Sequence, residues 1–153
     1  MRHVLKALSL FVATLFVVLA SAETVVGAQT KETTKPMALR GVMDKLDHDM
    51  QTITGAISRE DWSLVAEVAP KIAHHAEPPL AEKVRILAWL GTDAGKFRGF
   101  DEQTHEAAGA MGQAATRNDG QAVITAFANV QQSCLACHQG FRKSFSEHFY
   151  EQR

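Results

Sequence analysis

Val123, Phe127, Val130, Cys134, Cys137 and Phe141 follow one another at steps of 4, 3, 4, 3 and 4. That is the repeat of a helix with one apolar face. Two of the six positions hold the only cysteines of the chain, and His138 follows directly. A thiol, a second thiol three residues later and an adjacent imidazole therefore turn toward one side of one helix, against whatever core that helix faces.

Cys-x-x-Cys-His is the attachment motif of a c-type haem. Its thiols add to the haem vinyl groups and its imidazole ligates the iron. The pair alone would also suit a redox dithiol, a disulfide or half of a zinc site. Zinc needs further ligands at metal spacing, and no second Cys-x-x-Cys exists. A redox pair opens a helix after a strand, a context missing here. One haem c is expected, bonded to Cys134 and Cys137, with His138 as an axial ligand.

Arg2 and Lys6 precede an uncharged apolar run, Ala7 to Ala20, and Ala20-Ser21-Ala22 is a small-x-small cleavage site. These features read as a secretory signal over residues 1–22. The run of 14 residues falls short of the about 20 needed to span a bilayer. No stable membrane insertion is expected after cleavage, and the chain is expected in a bacterial periplasm. Residues 23–36 read as a flexible polar leader and residues 37–153 as one domain. Loss of Arg2 and Lys6 takes the net charge from −1 to −3, which excludes a nucleic-acid surface.

Helical stripes account for the rest. Met43, Leu46, Met50, Ile53 and Ile57 step by 3, 4, 3 and 4, with Asp44, Lys45, Asp47, His48 and Asp49 on the other faces. Ser58 looks like the cap of a second helix, where Trp62, Val65, Ala69, Ile72 and Ala76 repeat the pattern despite Pro70. Residues 78–98 read as a long connection holding a short helix. A third helix, rich in Ala and Gly, spans about 99–116, and its small residues permit close approach or leave space for a large planar group. Asp119 then caps a fourth helix running from Gln121 to near Phe149. With no strand signal, the expected fold is all-α: an antiparallel up-down-up-down four-helix bundle with covalently attached haem near the C-terminal end of helix four.

A haem motif late in a fourth helix, followed by Phe141, Arg142 and Lys143, resembles the class II cytochromes c, the cytochrome c-prime family. The resemblance implies His138 as the proximal ligand and Arg142 beside it or beside a haem propionate. By position along the first stripe, Met43 falls where the family places its distal residue, and Arg40 one turn earlier can reach a propionate. Low-spin members bear a ligating methionine in this part of helix one, and a thioether raises the potential. His138–Fe–Met43 is the expected ligand set.

Met50 lies two turns deeper. His75 and His105 fall at the same end of the bundle and allow a bis-histidine haem. With Asp101 they also allow a small surface metal site, although solvent-facing histidines near a turn are the simpler reading. The expected function is a periplasmic monohaem electron carrier, not an enzyme, serving periplasmic or membrane-bound redox proteins. The rival is a five-coordinate protein that binds nitric oxide or carbon monoxide. Many members of the family pair through their first two helices, so the resemblance also allows a homodimer.

Overall fold

The computed structural model describes residues 36–151. The signal at residues 1–22 and the leader, apart from Pro36, lie outside the described residues. Six α-helices are present: α1 (Ala38–Ser58), α2 (Trp62–Ala73), α3 (Leu80–Leu90), α4 (Ala94–Thr116), α5 (Gly120–Cys137) and α6 (Lys143–Phe149). A π-type turn, His138–Arg142, joins α5 to α6, so the two run on as one helix. α1, α2, α4 and α5–α6 are the four expected members of an all-helical bundle, with no strand among the described residues. α2 packs on α4 and α4 on α5, while α1 leans chiefly on α2.

The two short turns are built alike. Each helix before them ends with a residue in the left-handed region, Glu60 and Asn118, both at φ 56°. Glu60 N donates to Ile57 O (3.0 Å) and Asp61 N to Ala56 O (2.9 Å). Asn118 N donates to Ala115 O (2.9 Å) and Asp119 N to Ala114 O (3.1 Å), the same paired closure of a helix end. The aspartate that completes each closure then caps the next helix: Asp61 accepts from Leu64 N and Asp119 from Ala122 N. The Asp119 cap is as expected. Ser58 is not the second cap: its hydroxyl donates to Thr54 O inside α1, and Asp61 takes the role. Trp62 and Gly120 open α2 and α5 side by side. A Cβ at Gly120 would stand 2.7 Å from the indole Cζ2, so only glycine allows this approach.

The main core joins Ile53 of α1, Val65 and Ile72 of α2, Met111 of α4, and Val123 and Val130 of α5, all fully buried. The small residues of α4 serve close packing, with Ala108, Gly112, Ala114 and Ala115 buried. Asp49 belongs on the inner side rather than the outer one. It is 4% exposed, and Lys45 Nζ donates to both its oxygens at 2.7 and 2.8 Å. Buried at that depth, a carboxylate needs such a partner. α2 stops at Ala73, short of Ala76, because the chain must be extended before Pro78-Pro79.

A second cluster occupies the opposite end. Met37, Ile86, Leu90 and Phe141 are its buried centre, with Trp89, Phe97, Phe100, Phe145 and Phe149 around them. The connection at residues 78–98 supplies much of it. It is α3, a short 3₁₀ turn and the first residues of α4, which starts at Ala94 rather than Gly99. Trp89 meets Phe145 and Phe149 edge-on, each at 5.6 Å between centroids. Trp62 sits at the far end of α5, about 20 Å of helix from the cysteines, so it packs the core and not a haem.

Glu60 adopts a backbone conformation that a side chain disfavours by about 1 kcal/mol. Glu60→Gly is expected to raise stability by about that much, read as a higher urea midpoint at unchanged m-value.

Candidate haem attachment site

Cys134 and Cys137 lie on the inward side of α5, three residues apart, both partly buried and both free thiols. Cys134 packs against the main core and Cys137 against the second cluster. The pair therefore straddles the seam between the two apolar bodies. Burial pushes the Cys134 thiol up, and it pushes Cys137 up to about 11, with the neighbouring Cys134 and then Asp101 adding to the shift. Both stay protonated at neutral pH, which disfavours thiolate redox exchange.

His138 opens the π-type turn and is exposed. Its pKa is held below the usual range, first by partial desolvation of the ring and then by the Arg142 guanidinium. The imidazole is thus neutral at pH 7 and offers a lone pair, the form in which histidine binds a metal. Arg142 is exposed and acts on His138 electrostatically. The π-type turn adds width where the motif ends, a feature frequent at functional sites. It keeps Phe141, Phe145 and Phe149, at steps of four, on the second cluster.

Two features escaped the sequence. Thr104 of α4 and Ser133 of α5 are buried, with hydroxyls 2.8 Å apart beside Cys134. Each hydroxyl oxygen also lies 2.9 Å from a carbonyl oxygen of its own helix, Thr104 from Phe100 O and Ser133 from Val130 O. When one hydroxyl donates to the other and the second donates to its own carbonyl, the pair ties α4 to α5 one residue from the first thiol. The second feature is Glu82 of α3. Its carboxylate accepts from Ala38 N (2.8 Å) and Leu39 N (2.7 Å), capping α1 from 44 residues away in sequence. Met37, at the head of α1, offers no side-chain cap, and no local signal points to Glu82.

Glu82 and Met37 together hold the first turn of α1 at the attachment end, since Met37 is buried with Phe141. Arg40 is exposed in that turn and Met43, 38% exposed, is one turn further. Met50 packs against the main core. His75 and His105 come together with Asp101, within hydrogen-bonding distance of each other (2.9 Å). The Asp101 carboxylate, by its hydrogen bond, holds His75 above the usual imidazole range, and His75 holds Asp101 below the carboxylate range.

The donor set fits a covalently bound haem: two inward thiols at the right spacing, a neutral imidazole next to them, and apolar, aromatic surroundings. Cys134 and Cys137 would carry the thioether bonds and His138 would supply an axial nitrogen. Replacing both cysteines by alanine is expected to make haem fully extractable by acidified organic solvent, whereas none leaves the native protein. Glu82→Ala is expected to raise hydrogen exchange at the Ala38 and Leu39 amides about fivefold, the loss of a cap worth about 1 kcal/mol.

No curated protein and no solved structure matches the chain. The family model for Cytochrome C' matches residues 37–142, which takes in the first helix, the cysteines, His138 and Arg142. That family implies a covalently bound c-type haem and a role in electron transfer or gas binding, and its members are typically periplasmic. Among the described residues, no helix is long and apolar enough to cross a membrane. By its sequence and its all-helical bundle, the chain belongs to the cytochrome c′ family.

Proposed function

We propose that the protein is a single-haem electron carrier, exported by its N-terminal signal to the periplasm, with His138 and Met43 as the two axial ligands. The observation that carries this reading is how the methionines divide. Met111 is fully buried in the main core, Met50 packs against that core, and Met37 is buried in the second cluster. Met43 belongs to neither body and is 38% exposed. A methionine at core spacing is ordinarily filler. This one fills nothing, and it lies on the first helix two turns from the attachment end.

A haem bound between two protein ligands supplies reversible one-electron chemistry at a raised potential. The chain's own residues do the rest. Cys134 and Cys137 fix position, the neutral His138 imidazole donates its lone pair, and the Thr104–Ser133 contact keeps α4 and α5 in register beside the first thiol. Phe97 and Phe100, edge-on to Phe141, exclude water from the second cluster. Arg40 and Arg142, both exposed, are suited to paired carboxylates at the haem edge. The role proposed is that of a carrier and not of an enzyme. Its partners would be redox proteins of the periplasm or its bounding membrane, docked through a basic patch that complements the acidic chain. The single Cys-x-x-Cys-His motif supports one haem per chain.

Met43→Ala tests the ligand directly. The ferric protein is expected to pass from low spin to high spin and its midpoint potential to fall. An unchanged spectrum would remove Met43 from the iron and favour the gas-binding alternative if the native iron is five-coordinate.

A further inference from the structure

His75 follows the end of α2, while Asp101 and His105 stand one turn apart on α4. Their ligand atoms form a small triangle. His75 Nε2 is 2.9 Å from His105 Nε2 and 3.1 Å from Asp101 Oδ1, and His105 Nε2 is 3.7 Å from the same oxygen. The two rings meet at 88°, so they are not stacked on each other and their nitrogens converge instead. The His75 side chain is 11% exposed, and those of Asp101 and His105 are 48% and 38% exposed. The triangle is walled on one side and open to solvent on the other.

The far nitrogen of His75 fixes the place of one proton. His75 Nδ1 lies 3.2 Å from the Ala76 carbonyl oxygen, which can only accept, so Nδ1 carries the hydrogen. In the neutral ring the Nε2 lone pair then faces a carboxylate oxygen and a second imidazole nitrogen. Three electron-pair donors this close together repel unless a positive charge sits among them. A proton on His75 Nε2 can serve both neighbours, and a divalent cation can take its place and draw on all three donors at once. Metal-bound histidines fix their remote N–H on a carbonyl or carboxylate in just this manner.

The size also fits. A tetrahedral cation with ligands about 2.0–2.1 Å away sets them about 3.4 Å apart, and an octahedral one about 3.0 Å. The three edges, 2.9, 3.1 and 3.7 Å, span both values. Two imidazoles and one carboxylate select a divalent first-row transition ion over calcium or magnesium, which prefer oxygen. Lys83, a cation near Asp101, is held by both oxygens of Glu77 at 2.7 Å.

We propose that His75, Asp101 and His105 form a binding site for one divalent transition-metal ion such as zinc, with its remaining coordination open to water. The site shares no residue with Cys134, Cys137, His138 or Met43, and it stands whether or not Met43 ligates iron. A bound ion joins the end of α2 to α4 at the attachment end of the bundle.

The test is calorimetric titration of zinc into the haem-loaded protein after chelator treatment, with zinc-edge X-ray absorption on the product. One zinc per chain is expected, with two imidazole nitrogens and oxygen as ligands and no change in the haem spectrum. His105→Ala and Asp101→Asn, both at partly exposed positions, should each raise the Kd at least about 100-fold. His74→Ala, at the exposed neighbouring histidine, should leave it unchanged. Absence of saturable binding, or equal affinity in both site variants, would overturn the proposal. So would a haem spectrum altered by His105→Ala, because the imidazole would then belong to the haem iron.

Discussion

Everything at the attachment end depends on where α5 puts two sulfur atoms. Cys134 and Cys137 are three residues apart, yet they touch different apolar bodies, the bundle core on one side and the aromatic cluster on the other. A planar ligand bonded to both must lie along that seam. The seam exists because α5 continues the core stripe through Val130 and then passes it, by a widened turn, to Phe141 and α6. The same helix that completes the core thus carries the motif out of it and leaves His138 at the rim.

α3 gives the seam its other wall. A plain four-helix bundle needs no helix in the connection between its second and third members. Here that connection brings Ile86, Trp89 and Leu90 over the end of the bundle and reaches α1 through Glu82. The consequence for function is positional. The first turn of α1, and with it the stretch from Arg40 to Met43, is pinned by a carboxylate on its amides and by Met37 in the aromatic cluster. A residue that is to meet a fixed group must itself be held, and the first turn of an uncapped helix frays.

The bundle was legible in the sequence because its stripes are local: each repeats over fifteen or so residues and needs no knowledge of its neighbours. The Asp119 cap was legible for the same reason. Ser58 misled because the Ser-x-x-Asp spacing resembles a cap, whereas Ser58 is the last residue of α1 and donates back to Thr54 O, leaving Asp61 to cap α2. Asp49 misled because an acidic residue beside others reads as solvent-facing, whereas Lys45 one turn back neutralises it. Glu82, Thr104 and Ser133 were beyond sequence reading. Their partners lie 44 and 29 residues away, and nothing local marks a glutamate or hydroxyl as reserved for a distant helix. The histidines fall between: topology brought His75 and His105 to one end, but only the fold brings their nitrogens to 2.9 Å.

The central claim is that the iron is held from both sides by the chain, and the visible spectrum of the matured native protein tests it most directly. It should be recorded in the ferric and ferrous states, with and without carbon monoxide. Low-spin spectra are expected, with the weak far-red band of methionine–ferric haem and no shift on adding the gas. A high-spin spectrum that moves with carbon monoxide would contradict the claim and make the protein a gas binder with an open iron site.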